Sequence, residues 1–288
     1  DTFASGVLGE GVGVEPTDEL VVAPFDGEIS SVAESKHAVG VSANDMELLI
    51  HVGVDTVNMN GDGFANKLIL DDSGKLVNTY IDKNGNTHTG EYDLIPILNS
   101  FIESNPGFSY RGARAILAVT GHEGVFGYRT NKSVIDTKGQ SYYDSEVAAA
   151  REVAAALKEA GYEFASYTYA NEKYGDMDAT TIRKDITNWT SEVLPILGSC
   201  DTLVFAKTSD ISANGDYSNS KFNVLYDAGF RYFIAHTTGD PSCKIAGNYV
   251  RQLRIMVTGT QMAHASNTYA KYFDSQSVLN SSRGNVPQ

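Results

Sequence analysis

The spacing of apolar and polar residues changes near Phe64, and this change predicts two structural parts. Before it, short apolar runs such as residues 47–54 are separated by glycines and show no helical period. That pattern is typical of a small sandwich or barrel. After it, short apolar runs alternate with segments of helical spacing. We therefore predict an α/β protein in which a small all-β module (residues 1–64) precedes an α/β domain (residues 65–288).

The second part shows a regular alternation of strand and helix patterns. Residues 113–120 form an uninterrupted apolar run, which predicts a strand covered on both faces. The strongest helix pattern covers residues 145–160 and ends at Gly161, a residue type favoured after a helix C-terminus. Further strands are predicted at 67–70, 75–81, 162–167, 201–206 and 231–236, and helices at 93–103, 180–197 and 219–228. This alternation predicts a parallel sheet or a β/α barrel.

Composition removes several classes of partner. The chain has 22 Lys and Arg against 36 Asp and Glu, a formal net charge of −14. Nucleic acids and anionic lipid surfaces need clustered cations, so we expect neither as a partner. No apolar run approaches the roughly 20 residues of a membrane span, and the first residues lack a secretory-signal pattern. The two cysteines, Cys200 and Cys243, predict two buried free thiols rather than one bridge.

Two histidines in the first part suggest chemistry. His37 stands in the segment 35–40, and His51 stands in the apolar run 47–54. A histidine inside an apolar strand is usually structural. A neutral imidazole is also a nucleophile near neutral pH, and a second imidazole can hold its tautomer or stabilise a phosphate. Both interpretations remain open from these residues alone.

The surrounding motifs resemble the glucose-type IIA domain of the bacterial sugar phosphotransferase system. The matching stretches are residues 9–12, 22–27, 36–40, 51–57 and 60–64. The resemblance implies that His51 accepts phosphate from a phosphocarrier protein and passes it to a sugar permease. It also implies that His37 is the neighbouring site histidine and that Phe3 belongs to an apolar docking face. Further strands of that domain are not evident after Phe64, so we expect an incomplete module.

Residues 65–288 resemble bacterial polysaccharide deacetylase-like proteins. The matching stretches are residues 93–98, 108–117, 127–130, 160–166, 228–233 and 248–252. This resemblance implies a distorted β/α barrel. Active members of that family hold a metal with one Asp and two His, and a second Asp serves as the base.

The metal motifs of that family are altered here. In the first motif, His122 stands in place of the base and Glu123 in place of the metal-binding Asp. The second motif, which carries two histidines in the family, reads Tyr167–Asn171. Tyr and Asn are poor zinc ligands. A zinc-like divalent metal is therefore disfavoured, and we assign no cofactor. Glu123 is a weak candidate ligand if such a metal binds. The alternative for His122 and Glu123 is a polar loop after a buried strand.

Three further features are candidates for a site. Asp210 is a candidate carboxylate partner of Glu123, and His264 lies near the expected place of a late catalytic histidine. Tyr167, Tyr169 and Asn171 form a candidate ligand-binding segment, with the tyrosines as a floor on which a sugar ring stacks. Ordinary core packing is the alternative for these tyrosines.

These observations leave three functions open. The first is a carbohydrate-related protein whose deacetylase-like barrel acts on a polysaccharide or peptidoglycan-like glycan with reduced or no metal-dependent hydrolysis. The second is a phosphocarrier component of sugar uptake, and the third is a non-catalytic glycan-binding module. The sequence does not decide whether the chain is an active enzyme. If the deacetylase-like barrel determines the location, the protein is extracellular or at the cell envelope. If the IIA-like module determines it, the protein is cytoplasmic.

Overall fold

The computed structural model describes residues 28–32, 38–43, 46–51, 65–82, 85–212, 214–264 and 268–279. The chain divides into two compact units, Asp1–Gly63 and Phe64–Gln288, here called the N-terminal and the C-terminal unit. Phe3 and His37, two of the predicted site residues, lie outside the described residues.

The N-terminal unit contains a small antiparallel sheet. Its strands are β1 (Glu28–Val32), β2 (Ala38–Ala43) and β3 (Met46–His51), in the order β1-β2-β3. The pairing of β2 with β3 runs from Ala38 opposite His51 to Ala43 opposite Met46. The sheet agrees with the predicted small all-β module.

A second antiparallel sheet opens the C-terminal unit. It consists of β4 (Ala65–Leu70), β5 (Leu76–Ile81) and β6 (Thr87–Gly90). Leu68 and Leu76 are buried in the core of this unit. The Lys67 Nζ donates a hydrogen bond of 2.6 Å to the nearly buried carboxylate of Glu146, which lies on the long helix described next. A buried carboxylate needs such partners, and this ion pair ties β4 to that helix.

The main sheet has six strands in the order β11-β12-β10-β9-β8-β7. Its strands are β7 (Ile116–Val119), β8 (Glu163–Ser166), β9 (Thr202–Val204), β10 (Tyr232–His236), β11 (Cys243–Ile245) and β12 (Val250–Arg254). All pairs are parallel except β11 with β12. The predicted α/β class and parallel sheet are confirmed. The described strands form an open row with β7 and β11 at its ends, so closure into a barrel is not established.

Seven α-helices accompany these sheets in the described residues. They are α1 (Leu94–Ser104), α2 (Val134–Lys138), α3 (Gln140–Glu159), α4 (Ala179–Asn188), α5 (Leu194–Leu197), α6 (Ser220–Asp227) and α7 (Gly259–His264). None of the helices described is long and apolar enough to cross a membrane. The helix predicted at 180–197 is α4 and α5 joined by a π-helical turn, Trp189–Val193. Pro195 lacks the N–H that a regular α-helix would use there, which favours such an irregular turn.

Two predictions about burial are wrong. Strand β7 was expected to be covered on both faces, but the side chain of Ile116 is 47% exposed because β7 lies at the end of the sheet. Both cysteines are free, as predicted, yet only Cys200 is partly buried. Cys243 is exposed because β11 forms the other end of the sheet. Burial raises the pKa of the Cys200 thiol to about 11.

The core of the C-terminal unit lies between the main sheet and its helices. One face of α3 is buried, with Ala150, Val153, Ala154 and Leu157 recurring at helical spacing. Large aromatic side chains fill the rest, including Trp189, Phe205, Phe230 and Phe233. This packing fixes the strands, and therefore the loops that leave their carboxyl ends.

Candidate functional site

In the N-terminal unit, the backbone of His51 forms the last residue of β3. The antiparallel register places it opposite Ala38, the first residue of β2. His37 directly precedes Ala38 in the sequence. The roles of both histidines remain predictions.

In the C-terminal unit, the other candidates except His264 follow the carboxyl ends of β7, β8 and β9. His122 and Glu123 lie in the loop after β7, and both side chains are about two-thirds exposed. The Nδ1 of His122 lies 3.4 Å from Glu123 Oε1. The other oxygen of Glu123, Oε2, accepts a hydrogen bond from Arg129 Nη1. Glu123 is thus held by a cation rather than directed at a cluster of further metal-ligand side chains.

The loops after β7 and β8 are joined through backbone hydrogen bonds. The carbonyl oxygen of Tyr169 accepts from the N–H of Gly121 at 2.9 Å and from the N–H of His122 at 3.0 Å. The ring of Tyr169 also meets the ring of His122 edge-on, with centroids 6.5 Å apart. The structure therefore brings together two of the sequence-predicted candidates, His122 and Tyr169.

A buried carboxylate that the sequence analysis missed organises the second loop. Asp185, on α4, accepts hydrogen bonds from the N–H of Tyr169 (2.8 Å), the N–H of Ala170 (3.0 Å) and the hydroxyl of Tyr174 (2.6 Å). Burial, and then the charge of Asp185, raise the pKa of the Tyr174 hydroxyl far above its ordinary value. Asp185 therefore fixes the backbone of the segment that carries Tyr169 and Asn171.

The same segment adopts a strained backbone. Thr168 and Asn171 have φ values of 64° and 56°. A β-branched residue at such a φ is uncommon, because its side chain crowds the backbone. The Oγ1 of Thr168 accepts the N–H of Glu172 at 2.7 Å, which closes the turn from inside. The loop is thereby held in one conformation.

Glu192 is a second residue that the sequence analysis missed. It lies in the π-helical turn, and its Oε2 accepts the hydroxyl of Tyr169 at 2.8 Å and the N–H of Lys132 at 3.1 Å. Burial, and then the hydrogen bond to Glu192, raise the pKa of the Tyr169 hydroxyl. Tyr169 is therefore a hydrogen-bonded, half-buried side chain at this edge of the sheet.

Tyr167 and Asn171 are more accessible. Tyr167 is partly exposed, and its Oη accepts the N–H of Lys207 at 3.3 Å. Asn171 is exposed. The loop after β9 is strained too, with φ of 50° at Lys207 and 60° at Thr208. The carboxyl edge therefore presents polar and aromatic groups on loops that are held by hydrogen bonds.

Asp210 and His264 are placed apart from this arrangement. The Oδ2 of Asp210 accepts two hydrogen bonds from Arg251, at 2.9 and 2.7 Å, and its Oδ1 accepts the hydroxyl of Tyr217 at 2.7 Å. Both members of the ion pair are nearly buried. These contacts occupy Asp210, and none of them joins it to Glu123. His264 is an exposed residue at the end of α7.

The residues at this edge do not fit the metal centre of a hydrolase. Across the described residues, no three or more His, Cys, Asp or Glu side chains are grouped so that they could hold a metal ion. Glu123 is paired with Arg129, and His122 is the sole imidazole beside it among the described contacts. We therefore derive no chemical step through a metal.

Comparison with known proteins supports the resemblance of the N-terminal residues. Residues 1–79 match the family model "phosphoenolpyruvate-dependent sugar phosphotransferase system, EIIA 1". The match continues past Phe64, through β4 and into β5, two strands that pack in the C-terminal unit.

Individual relatives agree. A glucose-specific EIIA component from Bacillus cereus is 51% identical over 63 residues, which are 22% of this chain and 38% of that protein. Another from Staphylococcus aureus is 46% identical over 77 residues, 26% of this chain and 45% of that protein. A glucose-specific EIICBA component from Staphylococcus saprophyticus is 46% identical over 71 residues, 24% of this chain and 10% of that protein. The chain thus spans less than half the length of these relatives.

One structural neighbour is described as a polysaccharide deacetylase, from Mycobacterium smegmatis. It is 14% identical, and the alignment covers 53% of this chain and 62% of that chain with a TM-score of 0.28. So low a TM-score establishes no shared fold. What the comparisons establish is that the N-terminal residues are similar to the glucose-type EIIA domain, as the motifs around His37 and His51 predict.

Proposed function

We propose that the protein acts in carbohydrate handling and that its N-terminal unit carries phosphate on His51 in a sugar phosphotransferase relay. The observation that carries this proposal is the similarity of residues 1–79 to the EIIA family, within which both predicted site histidines fall. The relatives are described as glucose-specific components, so the proposed cargo is a sugar.

The strand register supports a joint role for the two histidines. Residues directly opposite in an antiparallel pair have Cβ atoms about 4.5–5.5 Å apart. Ala38 stands opposite His51, and His37 is the preceding residue in the sequence. We therefore assign His37 to the same site, where a second imidazole would hold the tautomer of His51 or stabilise phosphoryl oxygens.

The proposed step is a transfer between two partners. A neutral imidazole nitrogen of His51 attacks the phosphorus of a phosphorylated phosphocarrier protein. The bond between phosphorus and the carrier breaks as the bond to His51 forms, so no free phosphate is released. The phosphoryl group then passes to a sugar permease. Phe3 would contribute to the docking face. Such a relay operates in the cytoplasm, where its phosphoenolpyruvate donor is made, and we propose that location.

Transfer of label tests this function. The full chain is incubated with phosphocarrier that carries radioactive phosphate, and the label on the chain is counted. We expect one acid-labile phosphate per chain, lost in His51→Ala and slowed in His37→Gln. His88→Ala is the matched control, because His88 is an exposed histidine of β6 and should not affect the label. Full labelling of His51→Ala would rule out the assigned role.

A second function is proposed for the C-terminal unit because its β8 loop is held rigid at the carboxyl edge of a parallel sheet. Ligands of such sheets bind at that edge. Tyr167 and Asn171 are accessible there, and Tyr169 borders them. The consecutive order of β7 to β10 is also that of a β/α barrel wall, so we propose an open, distorted barrel. Its proposed ligand is a polysaccharide or peptidoglycan-like glycan, bound without metal-dependent hydrolysis.

Three measurements test the second function. Metal analysis of the purified chain should give no stoichiometric zinc, and N-acetylated chitotetraose should release no acetate. A soluble peptidoglycan fragment should bind, and Tyr167→Ala should weaken that binding, whereas Tyr272→Ala, at an exposed tyrosine elsewhere, should not. Stoichiometric zinc that is lost in Glu123→Ala, together with acetate release, would instead identify a hydrolase.

A further inference from the structure

A second concave surface lies at the opposite edge of the main sheet. Tyr232 and Val250 are the first residues of β10 and β12 and stand side by side in parallel register. Beside them is a cleft of about 390 Å³. This volume falls within the range of roughly 300–1,000 Å³ for small-molecule sites, but the cleft is open and shallow and would cover only one side of a ligand. Strand β10 rises four residues to His236, so about 13 Å separates the cleft from the carboxyl edge.

The turn between β11 and β12 forms one side of the cleft. The N–H of Ala246 donates to the carbonyl oxygen of Tyr249 at 2.9 Å, which closes the turn. A Cβ placed on Gly247 would meet no atom within 4 Å, so the turn is open towards solvent. Tyr249 is buried beneath it, with its hydroxyl donating to the carbonyl oxygen of Gly215 at 2.9 Å. The turn is therefore accessible to solvent, and the buried side chain of Tyr249 supports it.

A fixed guanidinium also lines the cleft. Arg231 stacks over the ring of Tyr226 at 3.5 Å from the ring centroid. Its Nη1 donates to the carbonyl oxygens of Tyr226 (2.7 Å) and Phe230 (2.8 Å). Within the described residues, no hydrogen bond engages Nε or Nη2 of this side chain. Arg231 therefore offers donors in an orientation that is already set, which lowers the entropic cost of binding.

The rim of the cleft carries an exposed aromatic ring and an amide. The side chain of Tyr232 is 48% exposed although its backbone is part of the sheet. Asn248 is exposed, and its amide makes no hydrogen bond in the part of the chain that the structure describes. A pyranose ring has an apolar face that packs on an aromatic ring and an edge of hydroxyls that exchange hydrogen bonds with amide and guanidinium groups.

We propose that this cleft is a saccharide-binding subsite that takes one pyranose unit of a neutral oligosaccharide, with the ring stacked on Tyr232 and its hydroxyls on Asn248 and Arg231. A neutral ligand is proposed because the lining offers mainly aromatic rings, an amide and a single guanidinium. The choice of a saccharide as the ligand class rests on the carbohydrate role proposed above. The site itself is separate from the β8 loop, which lies at the other edge of the same sheet.

Titration of the full chain with cellotetraose, maltotetraose and chitotetraose tests the proposal. Affinity is measured by calorimetry for the unmodified chain and for three cleft variants, Tyr232→Ala, Asn248→Ala and Gly247→Ala. We expect at least one of these neutral sugars to bind, and each variant to weaken that binding, about tenfold for Tyr232→Ala. Gly247→Ala adds a methyl group in open space, so it should obstruct the ligand without disturbing the fold. Tyr110→Ala, at a tyrosine that is 75% exposed elsewhere, is the matched control and should bind normally.

Each other outcome has a defined meaning. If no neutral tetrasaccharide binds, or if all three cleft variants bind as tightly as the unmodified chain, the subsite is refuted. If Tyr167→Ala abolishes binding and the cleft variants do not, the sugar occupies the carboxyl edge instead, and the cleft proposal fails while the proposed glycan role stands. The transfer of phosphate to His51 is independent of all these results.

Discussion

The replacement Asp185→Asn should destabilise the C-terminal unit, because it removes a buried acceptor that holds a strained loop. Asp185 Oδ1 accepts the N–H of Ala170, and Oδ2 accepts the N–H of Tyr169 and the hydroxyl of Tyr174. An amide keeps only one oxygen. Its NH₂ group would face at least one of these N–H donors, which would then be buried without a partner.

The expected loss can be worked out from these contacts. A hydrogen bond to a charged group contributes about 1.5–3 kcal/mol, and a buried donor left unpaired loses a comparable amount. Either orientation of the amide loses one such bond, and one orientation also forces the Tyr174 hydroxyl to accept instead of donate. We therefore expect a loss of about 3 kcal/mol in the free energy of unfolding. For a unit of this size, that corresponds to a fall in melting temperature of roughly 6–12 °C.

The chain has its own reporter for this measurement. Trp189 is its only tryptophan and is fully buried in the C-terminal unit, so urea unfolding followed by tryptophan fluorescence reports on that unit alone. Asp176→Asn is the matched control, because Asp176 is exposed on the same stretch of chain and should change stability by less than about 0.5 kcal/mol. Equal midpoints for the two variants would refute the role assigned to Asp185.

The same reporter tests three further predictions. Arg251→Met leaves the carboxylate of Asp210 buried without its cation and should cost about 3–5 kcal/mol; a loss below about 1 kcal/mol would contradict the ion pair. Gly127→Ala should destabilise by more than about 2 kcal/mol, since φ is +86° and the new Cβ would lie 2.0 Å from the carbonyl oxygen of Asn66; an unchanged urea midpoint would show that this contact relaxes. Because burial and nearby acidic charge raise the pKa of Tyr174 above its ordinary value of 10, the folded state holds a proton that the unfolded chain loses first. Stability should therefore fall as the pH rises above about 10, and Tyr174→Phe should reduce that fall.

The elements predicted well from the sequence are those whose burial follows a simple period. The helix predicted at 145–160 is α3, and its buried side chains recur every three or four residues. The strand predicted at 231–236 is β10, which alternates between exposed and buried positions. The strands that were not predicted lack such a period. Strands β6 and β11 are short and exposed at the ends of their sheets, and β12 lies inside its sheet but carries two arginines and a glutamine among five residues.

The organisation of the site was harder to predict, although one signal was present. Ile182, Ile186 and Trp189 form the buried face of α4 and the turn after it. Asp185 stands three residues after Ile182 and therefore lies on the same face. A carboxylate on an apolar helix face must find hydrogen-bond donors, so its position indicates a buried acceptor. The sequence does not show which donors it meets, because Tyr169 and Ala170 lie 15 or more residues away.

Strained backbone conformations in the C-terminal unit are concentrated in a few loops, where they lower the stability of the fold. Thr168 and Asn171 after β8, and Lys207 and Thr208 after β9, all have left-handed backbone conformations without being glycine. Such residues cost about 1–3 kcal/mol each and persist only where the surroundings determine them. After β8, the hydrogen bonds to Asp185 hold the backbone in this conformation. Five of the six described non-glycine residues with positive φ follow the carboxyl ends of β7, β8 or β9, and Arg111, before β7, is the sixth. This concentration of strain supports the ligand-binding role proposed for the carboxyl edge, and it is independent of the cleft proposed at the opposite edge.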